Sequence, residues 1–329
     1  MNITREKIYD YIKKIQGKKI LIIGDVMIDA YKIGKVNRIS PEAPVPVVFI
    51  EKDYMRLGGA ANVALNIKSL GAEPILCSVV GNYKNSEIFK NLLDEKELTT
   101  EGIINDGERI TTIKTRIISR GQQLLRIDEE IDKALSKETE EKLWLKIKEL
   151  CNYNNIDVII FEDYDKGVLS ENLITKTIKL AKEKNIPTAV DPKIKNFNFY
   201  KEVNLFKPNI QEFINGFKHK NLNIDLSNIE VAAKLFLEQN LIENLMVTLS
   251  EDGIFISNKN NFYRFPAEKR DISDVSGAGD TVISVASLLL SINVPLDEIA
   301  YISNIAGGLV CEKIGVVPIS VSDLLEDFK

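Results

Sequence analysis

The chain has a single histidine, His219, among its 329 residues. That scarcity removes Ser-His-Asp triads, HExxH zinc sites and every other chemistry that needs two imidazoles. His219 itself falls in a polar stretch, residues 218–223, and reads as a solvated loop residue. Cys77, Cys151 and Cys311 are odd in number, widely separated and in no CxxC spacing, so they read as buried thiols. Positive charge is not in excess: 43 Lys and Arg stand against 48 Asp and Glu, for a net charge of -5. No basic face for nucleic acid is expected. No uninterrupted apolar run approaches the ~18 residues needed to cross a bilayer. Residues 1–19, rich in Lys, lack the apolar run of a signal peptide, and the chain reads as cytoplasmic. A Walker phosphate loop, GxxxxGK[ST], is also missing, so any nucleotide must be held in another way.

What the chain has is apolar residue in quantity, 44%, enough for one large core or two smaller ones. The run Lys19-Ile20-Leu21-Ile22-Ile23, ended by Gly24-Asp25, fits a strand buried on both faces. Similar runs recur at 74–80, 157–161, 187–190 and 245–249. Helical patterns lie between them, at 60–70, 87–97, 137–150, 172–184 and 229–239. This alternation predicts an α/β body with a parallel sheet covered on both sides. Two stretches break the rhythm. Residues 30–57 have no helical period, and residues 109–128 alternate β-branched and basic side chains. Both read as strands of a small sheet built from two insertions that projects from the body. Such a sheet has unpaired edges and an apolar face, and it needs a cover, whether substrate, a second subunit or both.

Two segments carry chemistry. Asp274-Val275-Ser276-Gly277-Ala278-Gly279-Asp280 precedes a helical run at 282–292. Small residues before a helix let backbone N–H groups approach an anion, and the helix dipole adds to their pull. Asp280 then stands in the first turn, where a carboxylate can take a proton from a hydroxyl beside a bound phosphoryl group. An ordinary glycine turn with a helix-starting aspartate is the plainer alternative. A dinucleotide fingerprint is not, because Val282 stands where GxGxxG needs its third glycine. The second segment is Gly58-Gly59-Ala60-Ala61-Asn62-Val63-Ala64, followed by Gly71 and Gly81. Its glycines permit close backbone approach to a polyhydroxyl ligand, and Asn62 offers both a donor and an acceptor to a sugar hydroxyl. Close packing of helix on sheet is the competing explanation.

Together these two segments resemble the paired signatures of the ribokinase-like (PfkB) carbohydrate kinases. Asn209-Ile210-Gln211-Glu212 is similar to the family's NxxE motif, which helps organise Mg²⁺ and phosphates. Val285 departs from the signature, which expects Gly or Ala there. The resemblance implies a three-layer α/β/α body with a small β-sheet lid, ATP as phosphoryl donor, Mg²⁺, and room for a monovalent cation. It implies that Asp280 is the base, that the Gly277, Ala278 and Gly279 amides hold the γ-phosphoryl group, and that Glu212 acts on Mg²⁺ indirectly. Lys193, Asn209, and the loop of Thr248, Ser250 and Gly253 fall to the nucleotide in this reading. Glu251 and Asp252 in that loop are equally readable as a solvated turn.

A narrower resemblance is to the bacterial heptose 7-phosphate kinases. It rests on Ile39-Ser40-Pro41-Glu42-Ala43-Pro44-Val45-Pro46-Val47, on the basic residues between Lys114 and Asp128, on Asp163-Tyr164-x-Lys166-Gly167, and on Asp191-Pro192-Lys193. It implies phosphorylation of the anomeric hydroxyl of D-glycero-D-manno-heptose 7-phosphate, on the ADP-heptose route to bacterial surface polysaccharide. The sugar would lie under the lid against Asp29, Gly58, Gly59, Asn62, Arg116, Arg120, Arg126 and Lys166. Glu162 stands where these kinases usually carry Ser. Arg116, Arg120 and Arg126 are separated by even numbers of residues, so an unbroken strand would place them on one face toward the acceptor's phosphate; a turn at Gly121 would break that register, and a solvated basic edge is the alternative. The family's kinase is often fused to a nucleotidyltransferase, but only about fifty residues follow Asp280, which points to one kinase domain over 1–329. A homodimer through the lid is expected. Kinases of other sugars, such as fructose or ribose, and a non-catalytic sugar-binding protein of the same fold are the rival readings.

Overall fold

The computed structural model describes residues 3–81, 84–218 and 224–328; His219 and the rest of 219–223 lie outside them. The chain opens with α1 (Arg5–Ile15), β1 (Lys19–Gly24), β2 (Val26–Ile39), β3 (Pro46–Gly59), α2 (Ala60–Ser69), β4 (Glu73–Val80) and α3 (Lys84–Glu95). It continues through β5 (Ile103–Asn105), β6 (Thr112–Ser119), β7 (Gln122–Glu129), α4 (Lys137–Tyr153), β8 (Ile156–Glu162), α5 (Glu171–Glu183), β9 (Thr188–Asp191) and β10 (Leu205–Phe206). It closes with α6 (Ile210–Gly216), α7 (Ile229–Asn240), β11 (Asn244–Thr248), β12 (Ile254–Asn258), β13 (Phe262–Phe265), α8 (Ala278–Ser291), α9 (Leu296–Cys311) and α10 (Val321–Asp327).

Among the described residues, nine strands form the main sheet in the order β13-β12-β11-β10-β9-β8-β1-β4-β5. It is parallel except at one edge, where β12 and β13 run antiparallel. Ile20, Leu21, Ile22 and Ile23 of the central β1 are all fully buried. Because strand side chains alternate, Ile20 and Ile22 face a core shared with α1, α2, α3, α8, α9 and α10. Leu21 and Ile23 face a second core shared with α4, α5, α6 and α7. Each such side chain removed from water contributes about 1.5–3 kcal/mol, and a strand apolar on both faces therefore demands helices on both. The layered α/β architecture with a second small sheet is the one expected. Cys77, Cys151 and Cys311 are free and buried, as expected.

The second sheet has the order β3-β2-β6-β7. It is rooted deeper than the sequence pattern showed: β2 starts at Val26, immediately after Asp25, and β3 ends at Gly59, where α2 begins. The proline-spaced 41–44 is the bend between the two strands. One expectation fails here. Arg120 and Gly121 both take left-handed backbone (φ 52° and 78°) and form a two-residue hairpin turn closed by Ser119 and Gln122. Arg120 is therefore at the exposed tip, not on the strand face with Arg116 and Arg126. Those two do share a face, being directly opposed across β6 and β7.

Candidate active site

The C-terminal ends of β1, β8, β9 and β11, the root of the small sheet and the N-terminus of α8 converge on one place. Ligands of open parallel sheets bind at this end, because the loops there are free to vary while the strands hold them. Gly277 is the N-cap of α8 in left-handed backbone (φ 83°), a conformation that favours glycine, and no side chain caps the helix. Ala278 opens α8. A side chain added at Gly279 would come within 3.7 Å of both Asp191 Oδ2 and Lys207 Nζ, which form a buried ion pair at 2.7 Å. The helix N-terminus, with its partial positive charge, and Lys207 thus face the same space.

Asp280 is the third residue of α8, and it is buried. Its Oδ2 accepts from Asn62 Nδ2 at 2.7 Å and its Oδ1 from the Tyr164 hydroxyl at 2.6 Å. Burial pushes the Asp280 carboxyl above the usual aspartate range, and the two hydrogen bonds partly oppose this. Asn62 is placed by α2, which is tied to α8 through Asn66: its Oδ1 accepts from the Thr281 hydroxyl at 3.2 Å, and its Nδ2 donates to the Asn62 carbonyl at 2.9 Å. Gly59 precedes α2 with φ 60°. An added Cβ at Gly58 would lie 2.2 Å from Asp29 Oδ2, so this glycine makes room for a buried carboxylate. Asp29 in turn pairs with Arg116, whose guanidinium lies 5.4 Å from the ring centroid of Tyr31.

Tyr164, half-buried in the loop after β8, is a site residue that the sequence motif contains without marking it. That loop hangs on Asp25: Oδ2 accepts from Tyr164 N at 2.9 Å and Lys166 N at 3.0 Å, and Oδ1 from Val168 N at 3.0 Å. Burial raises the Asp25 pKa, and the three N–H donors oppose the rise. The signal for Asp25 was the Gly-Asp that ends the first apolar run; the signal for Lys207 was its place two residues before Asn209. Lys193 lies 5.5 Å from the Tyr164 ring and pairs with Glu212. Burial would lower the Lys193 pKa, but Asp191 and Glu212 outweigh it and hold it up. Lys114 approaches the same ring at 5.8 Å.

Asn209 and Glu212 form a capping box on α6: Asn209 Oδ1 accepts from Glu212 N and Glu212 Oε2 from Asn209 N, both at 2.8 Å. With one oxygen on a backbone N–H and the other on Lys193, Glu212 orders its neighbours. Thr248 bridges to Asn209 at the end of β11. Ser250 is exposed in a short 3-10 turn with Glu251 and Asp252, also exposed, and Gly253 follows with φ 87°. Lys166 pairs with Glu130 at 2.8 Å and the half-exposed Arg126 with Asp128 at 2.9 Å. The structure thus joins Asp280, Asn62, Gly277 and Gly279 with Lys193 and Glu212, and leaves Arg120 and Arg126 outside that cluster.

This arrangement can take a proton at Asp280 while backbone amides and lysines stabilise an anion beside it. The profile of the pfkB family carbohydrate kinases matches residues 17–322. The Bifunctional protein HldE of Syntrophotalea carbinolica is 36% identical over 325 residues, covering 98% of this chain. That of Helicobacter pylori (strain HPAG1) is 39% identical over 308 residues, covering 93% of the chain. The chain spans 65% of the length of each of these relatives. Among solved structures, the phosphofructokinase-2 from Escherichia coli in complex with potassium superposes with a TM-score of 0.78 at 17% identity, covering 95% of this chain and 98% of that one. The Arabidopsis thaliana ribokinase complexed with ribose and ATP gives 0.70 at 14% identity, covering 95% and 99%. At such identities the likeness is one of fold.

Proposed function

Because the chain belongs to the pfkB family of carbohydrate kinases and is an ATP-dependent sugar kinase, we propose that its acceptor is a heptose 7-phosphate, phosphorylated on the anomeric hydroxyl. The observation that carries the kinase chemistry is Asp280, buried in the first turn of α8 with one oxygen on Asn62 and the other on Tyr164. In this reading the sugar hydroxyl gives its proton to Asp280 as its oxygen attacks the γ-phosphorus of ATP. The bond from that phosphorus to the bridging oxygen of ADP breaks, and the products are the sugar phosphate and ADP. Asn62 and Tyr164 hold the carboxylate still; the amides at the α8 N-terminus and Lys207 stabilise charge on the phosphoryl group in flight.

Mg²⁺ fits the neighbouring strand ends, where the carboxylates of Glu162, Asp191, Asp280 and Glu212 outnumber the ammoniums of Lys193 and Lys207. When bound it would supply neutralising charge to the phosphate oxygens, with Glu212 acting indirectly through Lys193 and Asn209.

The phosphorylated acceptor is supported by the motif resemblance in the lid and by Lys114. This residue pairs in register with Asp29, is half-buried, and has no carboxylate ion partner among the described residues. Burial lowers its pKa, as expected of a cation awaiting an anion. Arg116 contributes by fixing Asp29, and Arg126 stands opposite it across β6 and β7, whereas Arg120 is at the exposed tip of the hairpin. Assayed with ATP at equal sugar concentrations, heptose 7-phosphate is expected to exceed unphosphorylated heptose and fructose. Equal or better turnover of the unphosphorylated sugars would reject the heptose-phosphate reading and leave the sugar kinase standing.

We also propose that two copies meet through the lid. Phe49, Ile50, Leu125 and Ile127 are large apolar side chains left exposed on its strands. One lid cannot cover them, whereas a second lid presents a matching surface. Light scattering at micromolar concentration is expected to give twice the chain mass, and a monomer there would remove the proposal.

A further inference from the structure

Glu162 is an acid of the site that takes no part in the proton and phosphoryl transfer and has neither carboxylate oxygen paired among the described residues. It ends β8, where its register partner on β9 is Asp191, and it is 1% exposed. The surrounding groups are already committed. Asp280 is held by Asn62 and Tyr164, Asp191 through its Oδ2 alone by Lys207, and Glu212 by Lys193 and the Asn209 amide. Burial and the nearby charges of Asp191 and Asp280 all disfavour an ionised Glu162, while Lys207 and Lys193 offset them only in part. Packing gives no reason for such a residue, since burying a carboxyl without partners opposes folding and a smaller hydroxyl would do so less.

We propose that Glu162, together with Asp191, is a direct ligand of the divalent cation that accompanies the nucleotide. The cation would sit between the ends of β8 and β9 and the phosphates at the α8 N-terminus. With all four carboxylates ionised, Glu162, Asp191, Asp280 and Glu212 against Lys193 and Lys207 would carry two net negative charges, which one divalent cation balances. Among the described residues no three acidic, histidine or cysteine side chains converge to hold an ion by themselves. That suits Mg²⁺ or Mn²⁺, which takes one or two carboxylates and completes its shell with phosphate oxygens and water. A glutamate at this position then explains why its oxygens are unpaired in the protein alone: their partner arrives with the substrate. This inference rests on the kinase reading for the nucleotide, but its test requires no sugar.

The test uses Mn²⁺ as probe, titrated into the full chain with a non-hydrolysable ATP analogue and followed by the loss of the free-ion signal in electron paramagnetic resonance. Glu162→Gln keeps the shape and removes the charge; it is expected to weaken Mn²⁺ binding by at least about 10-fold. Its melting temperature in metal-free buffer should equal or exceed that of the parent, because an unpaired buried acid has been neutralised. Mn²⁺ binding within twofold of the parent overturns the proposal, and a raised sugar KM with unchanged Mn²⁺ affinity would do so by assigning Glu162 to the sugar. Glu162→Ser carries the same test if the Gln variant does not fold. A chain that binds Mn²⁺ through Glu162 yet phosphorylates no sugar would refute the substrate reading alone.

Discussion

Asp280→Asn is expected to abolish sugar phosphorylation, lowering kcat by about 10²–10⁴ while the fold and ATP binding survive. The substitution is nearly isosteric and removes only the capacity to take a proton. Its amide oxygen can still accept one of the two hydrogen bonds, from Asn62 or from Tyr164. The α8 N-terminus and the Asp191–Lys207 pair beside Gly279 are untouched, so nucleotide affinity should change little. A loss confined to kcat would mark an interaction made in the transition state, whereas a raised KM alone would mark Asp280 as a mere sugar contact. The parent enzyme supplies a second check. Burial raises the Asp280 pKa, so its carboxylate is lost on acidification at a higher pH than an ordinary aspartate. The acid limb of kcat should therefore lie above the usual aspartate range. Near-parental turnover in Asp280→Asn would show that the base is another group.

Asp25→Ala is expected to be the most damaging change for stability, at about 3–4 kcal/mol. Three backbone N–H groups, of Tyr164, Lys166 and Val168, donate to this one buried carboxylate. Alanine leaves them facing a cavity without acceptors. Asparagine keeps two of the three bonds at best, because its NH₂, whichever way the amide faces, opposes at least one of these N–H donors. Asp25 is remote from solvent, so water cannot take over. Activity should fall further than stability requires, since the same loop aims the Tyr164 hydroxyl at Asp280. Thermal unfolding should shift down by roughly 5–10 °C. A melting temperature within about 2 °C of the parent would show that the loop is held by other contacts.

Much of this was legible in the chain before folding was considered. The continuous apolar run at Ile20–Ile23 announced a strand covered on both faces, and the period changes located most of the sheet and its helices. The antiparallel β12 and β13, and helices α9 and α10, carried weaker punctuation and were not anticipated. Arg116, Arg120 and Arg126 show the limit of strand arithmetic: even spacing counts only while the strand is unbroken, and two left-handed residues at 120 and 121 reverse it.

The glycine turn before Asp280 and the Gly-Gly before Asn62 are short-range patterns, and local sequence determined them because backbone conformation at a helix start depends on a few neighbours. Which atom meets which carboxylate oxygen was decided only by the tertiary structure. Asn62 and Asp280 are 218 residues apart, and Tyr164 is 116 from the same aspartate. No period or motif spacing encodes such a distance. It is the packing of α2 on α8, and the Asp25 clamp on the loop after β8, that bring the three within hydrogen-bond reach. The same packing leaves Glu162 buried among charges with no hydrogen-bond partner among the described residues.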